Sequence, residues 1–293
     1  MILIQVLING LITGSIYALI AASFSLIYNI VKFMDMSQGA MFVVSAFSAY
    51  AFNTLLGADL ILSFVLALLV TALTSVGVNK IVYKPLRERQ SDSFILLLSS
   101  FGAFLFITAV VLLFFGADVK SFDLPALKGF EIFGVIITGM QVALIVTAIG
   151  MFLVLRVFMM RTRIGKSMRA VADSRTIAST VGINHERIVT ATFLLAGILA
   201  GVAGILTGLE QHLEYGMGFS AIIKGLTASV VGGVGNVPAA LVGGFLIGIV
   251  ENVSVWFLPS GYRDAMTFLL LIVFLVIRPQ GLFGLRKRGE VIG

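Results

Sequence analysis

Cysteine is absent from the 293 residues, and histidine occurs only twice, as His185 and His212. The first absence excludes a disulfide framework, a thiolate zinc site, an iron–sulfur cluster and a cysteine nucleophile. The second leaves too little imidazole for a histidine-rich metal centre, so neither a metal nor a cofactor is expected. Charge is scarce as well. Charged residues make up 12% of the chain and apolar residues 59%, with a mean hydropathy of +1.10, whereas a soluble domain carries roughly a quarter charged residues. Such a chain cannot coat a globule in water and belongs in a membrane. Strict apolar alternation is missing too, which excludes an outer-membrane barrel and leaves helices to cross the bilayer.

What is present is a succession of apolar runs. The first, from Leu3 to Val31, meets its first charge only at Lys32. No basic segment precedes it and no small-residue cleavage pattern follows, so it reads as an uncleaved membrane segment. As one helix it would reach roughly 43 Å against a hydrocarbon core near 30 Å, so it is expected to tilt, break or re-enter. Further spans are expected at Gly39 to Leu56, Leu60 to Val82, Phe94 to Phe115, Phe133 to Phe158, Ile188 to Leu209 and Tyr262 to Ile277. Between the last two, Phe219 to Gly235 and Pro238 to Phe257 are interrupted by Lys224, Pro238 and several glycines, the pattern of broken or closely packed helices. The expected fold is all-α and polytopic, with about eight transmembrane helices and no soluble domain.

Lysine and arginine orient these spans. Stretches 80 to 92, 161 to 187 and 278 to 293 carry net charges of +2, +4 and +3 and are expected in the cytoplasm, with the C-terminus. Stretches 116 to 132 and 209 to 218 are acidic or balanced and are expected outside. The rule leaves the N-terminal side open. Because the cationic stretches flank spans and lack interleaved aromatics, the excess of +6 reflects topology, and no nucleic acid is expected.

Motifs for covalent chemistry fail on inspection. Gly165-Lys166-Ser167 would need a glycine at position 160 to form a phosphate loop, and Met160 stands there. Gly233-Val234-Gly235-Asn236-Val237-Pro238 misses the last position of the dinucleotide fingerprint. The two histidines are 27 residues apart, in stretches on opposite sides of the membrane. A serine–lysine pair could involve only Lys224 with Ser220 or Ser229, and a lysine snorkelling to the interface is the plainer reading. The chain is not read as an enzyme.

The stretch from Arg161 to Arg187 is the most informative. Ala170, Val171, Ala172, Ile177, Ala178 and Val181 lie among charged and hydroxyl residues, as a short helix with an apolar patch would have them. Gly182 suits its C-terminal cap, and Asn184 can cap the next helix. A membrane-surface helix would favour bulky apolar residues, and here alanines dominate, which better suits a groove on a soluble partner.

The run Gly165-Lys166-Ser167-Met168-Arg169-Ala170-Val171-Ala172-Asp173, then Ala178 and Gly182-Ile183-Asn184, closely resembles the cytoplasmic loop of LivH-type permeases, the membrane subunits of branched-chain amino acid ABC importers. The likeness continues through the glycines of 197 to 208, Gly232-Gly233-Val234-Gly235-Asn236, Gly243-Gly244, Gly248, Glu251 and Arg278-Pro279-Gln280-Gly281-Leu282-Phe283-Gly284. It is visible near the start in Asn9-Gly10 and Gly14-Ser15-Ile16-Tyr17-Ala18-Leu19. The resemblance implies one transmembrane permease domain over 1–293 in a bacterial inner membrane. It also implies a homologous second permease, two cytoplasmic ATPase subunits and an external substrate-binding protein. Docking of an ATPase falls to Arg169, Ala170, Asp173, Ala178, Gly182, Ile183 and Asn184. One departure stands out: where the family usually shows Asn-Phe-Ala-His-Gly, this chain has Asp35-Met36-Ser37-Gln38-Gly39. The substrate therefore need not be leucine, isoleucine or valine, since the family includes permeases for urea, amides and other organic acids.

Gly197, Gly201, Gly204 and Gly208 step by four, three and four along one stripe, which lets a neighbouring helix approach closely; Gly244 and Gly248 repeat the spacing. Asp35, Gln38 and Glu251 are candidates for the substrate path because a charge at membrane depth is costly. Lys32 and Asp35 could also satisfy each other across one turn, and Glu251 could be paired within the bundle. A transporter or channel working without ATPase subunits is the alternative, with few midplane ion sites to support it.

Overall fold

The computed structural model describes residues 2–122, 129–132, 135–257, 259–278 and 280–283. Helix α1 (Ile2–Val31) runs unbroken for 30 residues, about 45 Å at helical rise, so its excess length is taken up by tilt or projection and not by a break. Lys32 turns the chain with φ +63°. Helix α2 (Gln38–Tyr50) follows and runs on through a π turn, Ala51–Leu55. Helix α3 (Leu60–Val78) starts on the Asp59 carboxylate, which accepts from Ile61 N at 3.3 Å, and passes through a second π turn, Asn79–Tyr83, into the short α4 (Lys84–Glu88). Helix α5 (Ser93–Phe115) completes this half.

A two-stranded antiparallel hairpin, β1 (Gly129–Ile132) with β2 (Val135–Thr138), pairs Gly129 with Thr138. The span expected from Phe133 therefore begins later, at α6 (Gly139–Arg161), where Thr138 and Gln141 form a reciprocal capping box; Phe133 itself lies outside the described residues. Stretch 161 to 187 folds as two helices, not one: α7 (Arg163–Asp173) and α8 (Arg175–Thr180). The break falls at Ser174, whose extended backbone ends α7 while its hydroxyl accepts from Ile177 N at 3.3 Å. Helices α9 (His185–Glu210), α10 (Met217–Gly232), α11 (Val237–Phe257) and α12 (Arg263–Ile277) complete the chain.

Among the described residues, six helical segments are long and apolar enough to cross a membrane: α1, the continuous Leu60–Glu88, α5, α6, α9 and α11. Helices α2, α10 and α12 are shorter. The interrupted region is thus built from two helices joined by the turn at 233–236. Helix α9 is the axis of the bundle, with 72% of its most apolar stretch buried, whereas α6 on the rim has 17%. Helix α1 packs on α9, α10 and α11, while α2 and α3 pack on another side of α9. Rim side chains such as Leu113, Phe114 and Val276 are exposed apolar surface, which only lipid or another apolar subunit can cover.

Two glycine seams hold the centre. A Cβ on Gly248 would strike the backbone of Gly14, and one on Gly244 the backbone of Ala18, so α11 and α1 touch main chain to main chain. On α9, Gly197 meets Ser75, Gly201 meets Thr71 and Ser45, and Gly204 meets the carbonyl of Phe42, while Gly208 meets the side chain of Leu213. Small residues at these positions let main chains come this near.

The bundle has two ends. At one, the Arg87–Glu186 ion pair ties stretch 80 to 92 to stretch 161 to 187, and the last residues of α1 lie beside both. Residues Leu282 and Phe283 donate backbone hydrogen bonds to Val231 and Gly232 at 2.8 and 3.0 Å, and the following turn at Gly235 lies against Tyr28 near the end of α1. We term this the basic end. At the other, Lys120 and Leu213 exchange backbone hydrogen bonds of 3.0 and 2.8 Å, joining the two stretches expected outside. Because α1 finishes at the basic end, it starts at the opposite one, which settles the relation that charge alone left open.

Candidate functional site

Three polar constellations lie along the bundle. The first is the α7–α8 layer. Thr162 caps α7 by accepting from Gly165 N at 3.0 Å, and Gly165 lets the helix fold back on Phe158 and Met159. Met168, Val171 and Ala178 turn inward and are buried, whereas Ile177 and Val181 are 67% and 70% exposed. The apolar patch read from the sequence is therefore divided: one part anchors the layer to the bundle and the other faces outward. Of the residues expected to dock a partner, Asp173, Gly182 and Asn184 are exposed, Arg169, Ala170 and Ile183 are partly covered, and Ala178 is buried in the chain itself. Gly182 has φ +83° and no neighbour within 4 Å, and Ile183 N donates to the Ala178 carbonyl at 3.1 Å, which closes the helix end. Asn184 Oδ1 accepts from Arg187 N at 3.1 Å and starts α9, as its position suggests.

From this layer a hydrogen-bonded route leads inward. Arg87 is almost enclosed, its side chain 6% exposed, and donates to both Glu186 oxygens at 3.3 and 3.0 Å and to Asn79 Oδ1 at 2.9 Å. Asn79 donates to Thr190 Oγ1 at 3.3 Å. One turn deeper, Tyr83 donates to Asp35 Oδ1 at 2.6 Å, and its ring lies between Phe33 and Phe193. Asp35 also accepts from Ser37 N at 3.0 Å and from Gln38 Nε2 at 2.9 Å. Lys32 is exposed while Asp35 is 1% exposed, so the carboxylate is held by groups from the α1–α2 turn and α3, and not by the one-turn pairing expected from spacing. Asp35 and Gln38, both expected on a substrate path, form this knot and line neither of the two cavities described below.

The third constellation is at the N-terminal half of the short α10, toward the end opposite the basic one. A cavity of about 700 Å³ opens there between α1, α9, α10, α11 and α12. Lys224 crosses it, donating to Tyr17 Oη at 3.0 Å and Glu251 Oε1 at 3.1 Å and pairing with Asp264 Oδ1 at 3.2 Å. Its ammonium also lies 5.1 Å from the centre of the Tyr17 ring, a cation–π distance. One lysine thereby ties four helices. Lys224, expected to snorkel to the interface, is instead 13% exposed and pairs inside the bundle with Glu251. Sequence reasoning missed Tyr17 and Asp264 because nothing in their local spacing points across helices. It likewise missed Gly10 and Gly14, whose four-residue step was visible. A second cavity, about 620 Å³, lies at the basic end between Lys32, Arg87, Arg175 and His185. Among the described residues no group of three acidic or histidine side chains could hold a metal ion.

Comparison with known proteins gives this architecture a context. The family described as "Branched-chain amino acid transport system / permease component" matches residues 6–275. The high-affinity branched-chain amino acid transport system permease protein BraD of Pseudomonas aeruginosa is 33% identical, covering 96% of this chain and 95% of its own. LivH of Escherichia coli K12 is 31% identical with the same coverage. The probable LivH of Methanocaldococcus jannaschii is 27% identical over 96% of this chain and 92% of its own. Among solved structures, PsaBC from Streptococcus pneumoniae in complex with Fab superposes with a TM-score of 0.54 over 94% of this chain and 92% of that one, at 12% identity, a likeness of fold alone.

Proposed function

This chain belongs to the permease components of branched-chain amino acid transport systems, a multi-pass membrane subunit and not an enzyme, and from that membership we propose how it works. It is one transmembrane domain over 1–293 in a bacterial inner membrane, with the basic end and the C-terminus in the cytoplasm, in keeping with the lysine and arginine bias. A homologous permease completes the pathway, two ATPase subunits sit below, and an extracytoplasmic binding protein delivers branched-chain or related amino acids above. ATP-driven closure of the ATPases moves α7 and α8, and the Arg87–Glu186 and Tyr83–Asp35 bonds carry that motion to α9 and to the turn between α1 and α2.

The observation that carries this reading is the α7–α8 layer: a capped pair of helices fixed by Met168 and Val171 that turns Ile177 and Val181 outward on the most cationic face. Ala170→Glu, at a partly covered position, or Gly182→Trp, with open space around it but a left-handed backbone that a side chain strains, should leave the protein inserted in the membrane while abolishing co-purification of the ATPase. Normal co-purification with normal uptake would defeat the assignment.

A further inference from the structure

We propose that the outer cavity is a binding site for the zwitterionic head of an aliphatic amino acid, which inserts between Lys224 and Glu251. This rests on the transport reading above and names the site where the substrate is held. Glu251 is 3% exposed, and its Oε1 accepts from Lys224 while its Oε2 has no hydrogen-bond partner. A buried carboxylate oxygen without a donor is costly, so a ligand that supplies one gains free energy that a merely structural ion pair would already have collected.

Charge type decides which ligand fits. A cation inserted between Lys224 and Glu251 satisfies the glutamate but leaves the lysine only the exposed Asp264 as counter-charge; an anion satisfies the lysine and leaves the buried glutamate with no cation. A zwitterion splits the pair without leaving a charge over, its ammonium on Glu251 and its carboxylate on Lys224, so one ion pair becomes two. Asp264, 3.2 Å from the lysine, and the Tyr17 hydroxyl keep Lys224 in place when Glu251 releases it. The rest of the wall suits the rest of such a molecule: Ile16, Ile20, Phe42 and Met217 give an apolar surface for an aliphatic side chain. A volume of about 700 Å³ is of the size that holds small ligands. Urea and simple amides carry no charges to split the pair, so this geometry selects among the substrate classes that the departure at Asp35 to Gly39 left open.

Saturation-transfer NMR on the purified permease–ATPase assembly, without the binding protein, tests this with three probes of matching carbon skeleton: leucine, 3-methylbutylamine and 4-methyl-2-oxopentanoate. The expected result is a methyl signal from leucine, weaker by about tenfold or more for the amine and the oxo acid, a factor equivalent to about 1.4 kcal/mol. Lys224→Met/Glu251→Met removes both charges together and strands neither, so the bundle should persist, and the leucine signal should vanish. No leucine signal from the unaltered assembly, equal signals from all three probes, or an undiminished signal from the double variant would each overturn the proposal. Leucine uptake by the complete unaltered system is measured in parallel. Uptake without a binding signal defeats this site alone, whereas absence of uptake for every branched-chain amino acid defeats the transport reading.

Discussion

The two ends of the bundle handle charge in opposite ways. At the end opposite the basic one, Lys224 meets Tyr17, Glu251 and Asp264, one cation for two carboxylates across four helices, and Glu251 Oε2 keeps no donor. At the basic end the donors outrun the acceptors. Arg87 keeps Nη1 without a partner although its side chain is 6% exposed, and His185 Nδ1 is likewise buried and unpartnered. Arg163, Lys166, Arg175 and Arg187 are exposed around them. One end thus keeps a surplus acceptor and the other surplus donors. The basic end adds to its surplus donors the exposed apolar side chains of Ile177 and Val181, the features on which the proposed docking of a partner rests.

This contrast can be broken first from the middle. Gly248→Leu drives a side chain into the main chain of Gly14 and should unfasten α1 from α11 at both ends together, costing about 3 kcal/mol and lowering the unfolding temperature in detergent. Its effect is expected to be the largest because backbone cannot step aside. Arg87→Ala acts on the basic end only. It takes the donor from Glu186 and Asn79, hydrogen bonds to charged groups worth about 2 kcal/mol together once the partial exposure of Glu186 is discounted. Uptake and stimulated ATP hydrolysis should fall together, while the leucine signal at the outer cavity stays; a lost signal would mean that the two ends are not separable. The smallest effect belongs to Asp264→Asn, since that carboxylate is 61% exposed and its ion pair is worth less than about 1 kcal/mol. Unfolding should be nearly unchanged, and a drop as large as that from Arg87→Ala would show that Lys224 depends on Asp264 more than geometry implies.

Much of this was legible in the chain wherever the signal was local. Asn184 as a cap, Gly182 at a helix end, and the spans of α3, α5, α9 and α11 follow from spacing and side-chain chemistry that act within a few residues. The glycine stripes announced close approach but not its target, because a stripe says that a neighbour comes near without saying which one. Across-helix facts were invisible for the same reason: Tyr83 lies 48 residues from Asp35, and Tyr17 lies 207 from Lys224. The one-turn pairing of Lys32 with Asp35 failed because Lys32 adopts a left-handed backbone, which ends the helix that the spacing assumed. In the sequence Ser174 is only one of the hydroxyl residues around the apolar patch, yet its hydroxyl divides α7 from α8. That competition between a serine side chain and the helical backbone is local in kind but decided by tertiary packing.

The π turn at Asn79–Tyr83 has a bearing on how the basic end reaches the interior. In an α-helix a step of four residues overshoots one turn by about 40°, so every fourth side chain drifts around the axis. The wider π turn takes up that overshoot between Asn79 and Tyr83. Asn79 and Arg87 consequently stay in phase closely enough for Arg87 to donate to Asn79 Oδ1, with Glu186 beside Arg87 at one end, Thr190 beside Asn79 at the other, and Asp35 on Tyr83 between them. A single surplus residue in the winding of one helix thus brings Asn79 and Arg87, eight positions apart, to one hydrogen bond.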